Sequence, residues 1–296
     1  MKAEPRKPTS VKLQSAMEYL MTYGWAIIAI AIVMVSLYSL GIFNLQSLAP
    51  TATPGSCQVI RTAAQTSLAG QCGNLIPRYV SQDIGLSSTS VADSPALQFS
   101  GTSPFTIIFW IDIKSYNSAY IRQLDHDPTD GNGREGWLVY TEKNAHTECL
   151  QRFLSGSADT ICTSAPSLNK WYFVAFTYDG STMKSYLNNT LSQSVSSTKS
   201  LTTTTQNLYI GGYGGNNDGQ YLHSNIQLYN TSLDNTTLKM LYQEGIGGAP
   251  IDLQHLIGWW PLNGNTNDYS GNFRNGASST LKWSANWQGD YSQPAT

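Results

Sequence analysis

Residues Tyr19 to Phe43 carry no charge, and the run starts directly behind a carboxylate in "QSAMEYLMTYGWAIIAIAIVMVSLYSLGIF", residues 14–43. As a helix at roughly 1.5 Å per residue the run extends about 37 Å, against a hydrocarbon core of about 30 Å. A segment of this kind splits the chain into a short head and a long body. The head, residues 1–13, holds Lys2, Arg6, Lys7 and Lys12 against Glu4, net +3. The remainder holds 13 basic and 18 acidic groups, net -5. A basic head before an apolar run keeps the N-terminus in the cytoplasm and sends the rest of the chain across the membrane. A body of net negative charge argues against a nucleic-acid partner. A secretory signal has a shorter apolar region ending at a small-residue cleavage site, and no clean A-x-A comes after this run.

The expected division is a basic cytoplasmic leader over residues 1–13, a membrane-spanning helix over 14–46, a Pro/Thr stalk over 47–56 and one folded domain over 57–296. Pro50 and Pro54 prevent the helix from continuing into the stalk. In the body, short segments rich in aromatic and β-branched residues alternate with Gly, Asn, Asp and Ser clusters, which predicts a β-sandwich. Phe105 to Ile113, Gly136 to Tyr140, Trp171 to Tyr178 and Met183 to Leu187 are such strands. Within "KWYFVAFTYDGSTMKSYLN" both alternating faces are apolar and Asp179-Gly180 is the turn, so the first strand of this hairpin is expected at the centre of a sheet. One short helix is predicted, with Asp234 as N-cap, Leu238, Leu241 and Tyr242 on one face and Gly245 as the stop.

Four cysteines in an exported domain read as disulfides, since the exterior is oxidising. Neither close pair has CxxC spacing. The expected bridges are Cys57 to Cys72 and Cys149 to Cys162, and four buried thiols are the other reading.

"KLQSAMEYLMTYGWAIIAIAIVM" resembles the class III signal peptide and N-terminal helix of archaeal type IV pilin-like proteins. The resemblance implies cleavage by a prepilin peptidase between Leu13 and Gln14, and it makes Glu18 the fifth mature residue, the family's helix-packing glutamate. The family usually has Gly or Ala where this chain has Leu13. A carboxylate at the rim of an apolar helix is costly in lipid unless it is paired, for instance with a neighbouring subunit's α-amino group, or unless it sits among headgroups. "FTIIFWI", "NKWYFVAFTYDGSTMKSYLN", "NLYIGGY" and "IQLYNTSLDNTTLKMLYQEGI" resemble, in that order, the laminin G-like jelly roll of the concanavalin A-like fold. "GWWPLNGNTNDYSGN", residues 258–272, matches a motif that usually opens such a domain. Here it comes last, as in a circular permutation, and its strand is expected to close the sheet beside strands near Leu97.

Catalytic patterns are sparse. The carboxylates lack the E-x-D-x-E arrangement of glycosidases with this fold, no Ser lies in a G-x-S-x-G elbow, and His126, His146, His223 and His255 are scattered. In "DHDPTDGNGREG" Asp125, Asp127, Asp130 and Asn132 are candidate calcium ligands, a solvated loop being the alternative. Asp268 is a candidate either for calcium or for tying down the sandwich edge. Among the aromatics, Trp110, Trp137, Trp171 and Trp259 read as packing, and Tyr213 and Tyr221 as exposed ligand contacts. Sequons at Asn188, Asn230 and Asn235 suit a glycosylated exterior.

These readings define a non-enzymatic cell-surface protein: a pilin-like helix in the membrane, able to assemble with copies of itself into a filament, carrying a domain that binds glycans or surface proteins. A monomeric anchored adhesin and a glycan-active enzyme of the same fold are the alternatives.

Overall fold

The computed structural model describes residues 11–39, 51–73, 75–84, 87–116, 120–127, 134–212, 220–277 and 279–295. The chain divides into two compact units, residues 1–49 and 50–296.

In the first unit α1, Val11–Ser39, is a 29-residue helix that begins three residues ahead of Gln14. Leu13, Gln14 and Glu18 lie on its backbone; their side chains fall outside the described residues, as do residues 1–10 and 40–50. Met21, Tyr23, Ile27 and Val33 point to different sides of the axis at about 100° per residue, and each is more than half exposed. Among the described residues no helix is long and apolar enough to cross a membrane; the described side chains of α1 are those of Met21 and residues 23–37.

The second unit is a sandwich of two antiparallel sheets. One has the strand order Ser157–Cys162, Glu148–Leu154, Trp137–Thr141, Ile121–His126, Leu208–Gly211, Ser88–Val91, Gly276–Ala277. The other runs Thr190–Ser196, Thr182–Leu187, Trp171–Tyr178, Phe105–Ser115, Gln220–Tyr229, Val80–Ile84, Lys282–Ser284, and Leu256–Trp260 also pairs with Gln220–Tyr229. Successive side chains of a strand point to opposite faces. Ile107, Phe109, Ile111 and Ile113, with Val174, Phe176 and Tyr178, therefore pack inward against Leu124, Trp137, Val139, Leu150 and Ile161 of the facing sheet. The hairpin turn is at Asp179-Gly180: the Asp179 carboxylate accepts from the Ser181 and Thr182 amides, and Gly180 has φ +99°, where a Cβ would be strained.

Two boundaries differ from the sequence-based expectation. Thr51–Ala52 is not free stalk but pairs in parallel with Ile76–Pro77, and Asn263 Nδ2 donates to the Ala52 carbonyl at 2.8 Å. Leu256–Trp260 lies beside the second half of Gln220–Tyr229, not beside a strand near Leu97. The first half of Gln220–Tyr229 already pairs with Val80–Ile84, so one long strand takes two short ones along the same edge. Gly276–Ala277, further along, is the segment that reaches Ser88–Val91.

Both disulfides are formed, Cys57 to Cys72 and Cys149 to Cys162. Cys149 and Cys162 are directly opposite across a hairpin ladder, Cα to Cα 4.0 Å. A second helix, α2 at Asn235–Glu244, is capped by Asp234, whose side chain accepts from the Thr237 amide at 2.7 Å. It ends at Gly245 with φ +80°. Leu238 and Leu241 are buried on the outer face of the second sheet.

Two carboxyls are sealed in the interior. Glu148 accepts from the Thr141 hydroxyl, which in turn accepts from Gln123 Nε2; burial pushes its pKa from 4.5 up to about 8. Asp83 accepts from the Gly212 amide, and burial pushes it from 3.8 up to about 7. A carboxyl whose folded pKa is raised contributes stability that is complete below the unfolded pKa and is lost as pH rises through the folded one. Thermal midpoints between about pH 4 and about pH 9 are therefore expected to fall with rising pH, most steeply between the two sets of values. Glu148→Gln is expected to flatten the upper part of that slope; an unchanged profile would remove Glu148 as its source.

Candidate functional site

Because Phe105–Ser115 and Trp171–Tyr178 are central strands, their outward side chains also need cover. Trp110, Trp171 and Phe173 point away from the sandwich core, and α2 and the C-terminal segment lie over them. Tyr242 stacks on Trp110, ring centroids 5.9 Å apart and planes 13° apart. Trp287 meets Trp171 edge-on at 5.7 Å, and Tyr291 meets Trp110 edge-on at 5.6 Å. Trp171 Nε1 donates to the Trp287 carbonyl. The Tyr291 hydroxyl accepts from the Ile246 amide and donates to Gln293 Oε1. These bonds fasten the C-terminal segment across the sheet.

Beside this cluster lies a cleft of about 470 Å³, walled by Trp110, Trp171 and Tyr242 together with Asn169, Lys170, Asn188, Gly289, Asp290 and Ser292. The Lys114 ammonium lies 2.6 Å from both Asp112 Oδ2 and Asp290 Oδ2, joining the central strand to the C-terminal turn. Burial raises the Asp112 pKa, and the hydrogen bond from Lys114 opposes that shift. Asn188 Oδ1 accepts from the Phe173 amide at 2.9 Å. Asn169 adopts φ +56° in the turn before Trp171, a conformation Asn tolerates, and its amide donates to the Ile113 carbonyl. The site is thus bordered by aromatic rings together with two amides, one hydroxyl and charges.

The residues singled out from the sequence do not gather here. Tyr221, expected at the surface, is 1% exposed: it pairs with inward-facing Ile113, and its hydroxyl donates to the Arg122 carbonyl. Tyr213 lies outside the described residues. Asp125 is paired with Arg122 at 2.6 Å and Asp127 with Arg134 at 2.5 Å, so two of the candidate calcium ligands are held by guanidinium groups. Burial raises Asp125 to about 6, with Arg122 opposing the shift. Asp130 and Asn132 lie outside the described residues, and among the described ones no three potential metal ligands come together. Asp268 accepts from the amides of Trp259, Ser270 and Arg274, the arrangement that ties a loop to the sandwich. Asn230 and Asn235 are exposed, whereas Asn188 is half-buried. His223 is sealed beside Phe109 and Tyr221, and burial pushes its pKa down to about 3.

Trp110 and Trp171, read from the sequence as packing, are packed, 2% and 6% exposed, and also border the cleft with Tyr242. Lys170, Asp290 and Ser292 were not singled out at all. Only the strand alternation bears on them, since it turns Trp110 and Trp171 to the face opposite the core; no local pattern places residues 289–292 over that face.

The fold and its site define a jelly-roll sandwich with an open cleft on an outer sheet face. A family model described as the concanavalin A-like lectin/glucanases superfamily matches residues 86–237, half the chain, and the chain belongs to that superfamily. Among solved structures it is similar to a candidate carbohydrate binding protein from Bacteroides ovatus, with 15% identity and TM-score 0.54, covering 76% of this chain and 65% of that one. It is also similar to the binding domain of Paraclostridial Mosquitocidal Protein 1, with 18% identity and TM-score 0.45, covering 66% and 47%. The binding domain of Botulinum Neurotoxin DC, solved in complex with SialylT, aligns with 14% identity and TM-score 0.46, covering 64% and 51%. The alignments thus span about half to two thirds of these solved chains. At such identities the likeness is one of fold. The comparison with curated proteins found no match.

Three amides converge on the Asp268 carboxylate, and bonds to a charged acceptor are the strong ones. Asp268→Ala is expected to destabilise the sandwich by about 3 kcal/mol, read as a lower denaturation midpoint with the disulfides intact. A change below about 0.5 kcal/mol would show that the loop holds without it.

Proposed function

We propose that the sandwich is a glycan-binding domain displayed outside the cell, with the cleft beside α2 as its site. The observation that carries this reading is the cleft itself. A pyranose ring presents an apolar face to aromatic rings and hydroxyls to polar groups, and the cleft is bordered by half-buried Tyr242, packed on the buried Trp110, and by Asn188, Asp290 and Ser292. Its volume falls within the roughly 300–1,000 Å³ of small-ligand sites. The two disulfides support an oxidising, extracellular setting. Binding is favoured over hydrolysis because Asp112 and Asp290 share one ammonium ion, which leaves no separated pair of free carboxyls among the described residues of the cleft to act as acid and nucleophile.

The N-terminal unit anchors this domain. The uncharged run of the sequence supports a membrane segment, and the resemblance to archaeal pilin-like leaders supports a cut between Leu13 and Gln14. Glu18 then pairs with the α-amino group of an adjacent copy, building a filament that presents the sandwich to glycans or surface proteins.

A glycan array probed with the full chain and with Tyr242→Ala tests the cleft. Tyr242 is only half-buried, so the variant is expected to fold and to lose binding about tenfold or more; equal binding by both proteins would move the site elsewhere. Mass spectrometry of the native N-terminus tests the anchor. A mature chain starting at Gln14 is expected, and an intact Met1 would leave a monomeric anchored adhesin.

A further inference from the structure

Lys114 meets two carboxylates in different surroundings. Asp112 lies two residues earlier on the same strand, Phe105–Ser115, and its side chain is fully buried. Asp290 lies 176 residues later, in the C-terminal turn, and is partly exposed. The Lys114 nitrogen is 2.6 Å from an oxygen of each. The turn that carries Asp290 is fixed on both sides of it. Trp287, ahead of Asp290, is buried edge-on against Trp171, whose Nε1 donates to the Trp287 carbonyl. Tyr291, behind it, is buried edge-on against Trp110, on the strand of Lys114. An amine and two carboxyls are therefore held in contact by packing as well as by their own charges. Well-oriented groups of this kind react as if at about 10⁵–10⁸ M, which offsets the preference of a free amine and a free acid to remain separate ions in water.

We infer that Lys114 and Asp290 condense into an intramolecular amide, with Asp112 as the proton relay between them. Lys114 passes a proton to Asp112, and the neutral amine attacks Asp290 Cγ. An Nζ–Cγ bond forms, a Cγ–O bond of Asp290 breaks, and the departing oxygen leaves as water. Of the three ammonium protons, one stays on the amide nitrogen and two leave with the water; Asp112 carries protons across and ends as it began. The balance needs no co-reactant. Although burial disfavours charge on Lys114, its hydrogen bonds to Asp112 and Asp290 raise its pKa, so the amine has to be freed by an acceptor in direct contact. Burial raises the proton affinity of Asp112, the carboxyl placed to act as that acceptor. The product joins the central strand to the C-terminal turn, so that unfolding no longer separates them, and it makes one wall of the cleft covalent.

The intact mass of the full chain, denatured and with both disulfides reduced, tests the bond. The native chain is expected to be one water lighter than its N-terminus and sequence require, and its digest to contain a branched peptide joining residues 114 and 290. Lys114→Arg keeps the charge without an amine able to attack, and Asp290→Ala removes the acceptor from a partly exposed turn. Both are expected to show the full mass and to melt below the native chain. Asp112→Asn, with its disulfides formed, is expected to lack the branched peptide. A native chain of full mass, or a water loss that maps to any other pair, Lys114 with Asp112 included, would overturn the inference. A branched peptide that persists in Asp112→Asn would overturn the relay.

Discussion

The pairing of Phe105–Ser115 with Trp171–Tyr178, eight residues in unbroken register, is the constraint on which the rest of the sandwich depends. Trp171–Tyr178 is apolar on both faces, and Phe105–Ser115 turns Ile108 and Trp110 outward, so neither can be left at a solvated surface. The inner face is covered by the facing sheet through Phe109, Val174 and Phe176. The outer face is covered by α2 and the C-terminal segment through Tyr242, Trp287 and Tyr291. That outer cover is incomplete, and the cleft is the space left where helix, C-terminal turn and sheet meet. The site thus arises from the way a two-faced sheet is closed with limited chain.

The closing elements are held by buried polar groups rather than by further apolar area. Arg61 reaches three carbonyls, of Ser270, Leu253 and Leu256. Arg274 donates to the Ile257 carbonyl, and Asp268 gathers the amides of Ser270 and Arg274 in its own loop and that of Trp259 in the strand beside it. Backbone groups buried outside a regular ladder need partners, and here charged side chains provide them. Lys114 plays the same part between the central strand and the C-terminal turn. It fixes one wall of the cleft.

Much of the fold was legible because it rests on short-range patterns. Alternation in "KWYFVAFTYDGSTMKSYLN" specified a central strand, Asp179-Gly180 its turn, Asp234 and Gly245 the ends of α2, and cysteine spacing both bridges. The site was less legible. Tyr221 belongs to a strand whose alternation turns it inward, although the glycine-rich stretch before it suggested a loop. Asp125 and Asp127 looked like free oxygen ligands until Arg122 and Arg134 were placed beside them. Trp110 and Trp171 were correctly assigned to strands, but a strand residue facing away from the core can be packing or site according to what covers it.

The sequence by itself determined that this chain has an uncharged N-terminal run, an acidic β-rich body and two close cysteine pairs, because charge, periodicity and spacing are local properties of the chain. Only the tertiary structure decided which aromatics border the cleft and that Asp290 is committed to Lys114. Those facts depend on residues 110, 114, 242 and 290 meeting in space. Such a meeting is set by the demand that both faces of the central strands be buried, and no single segment of the sequence expresses that demand.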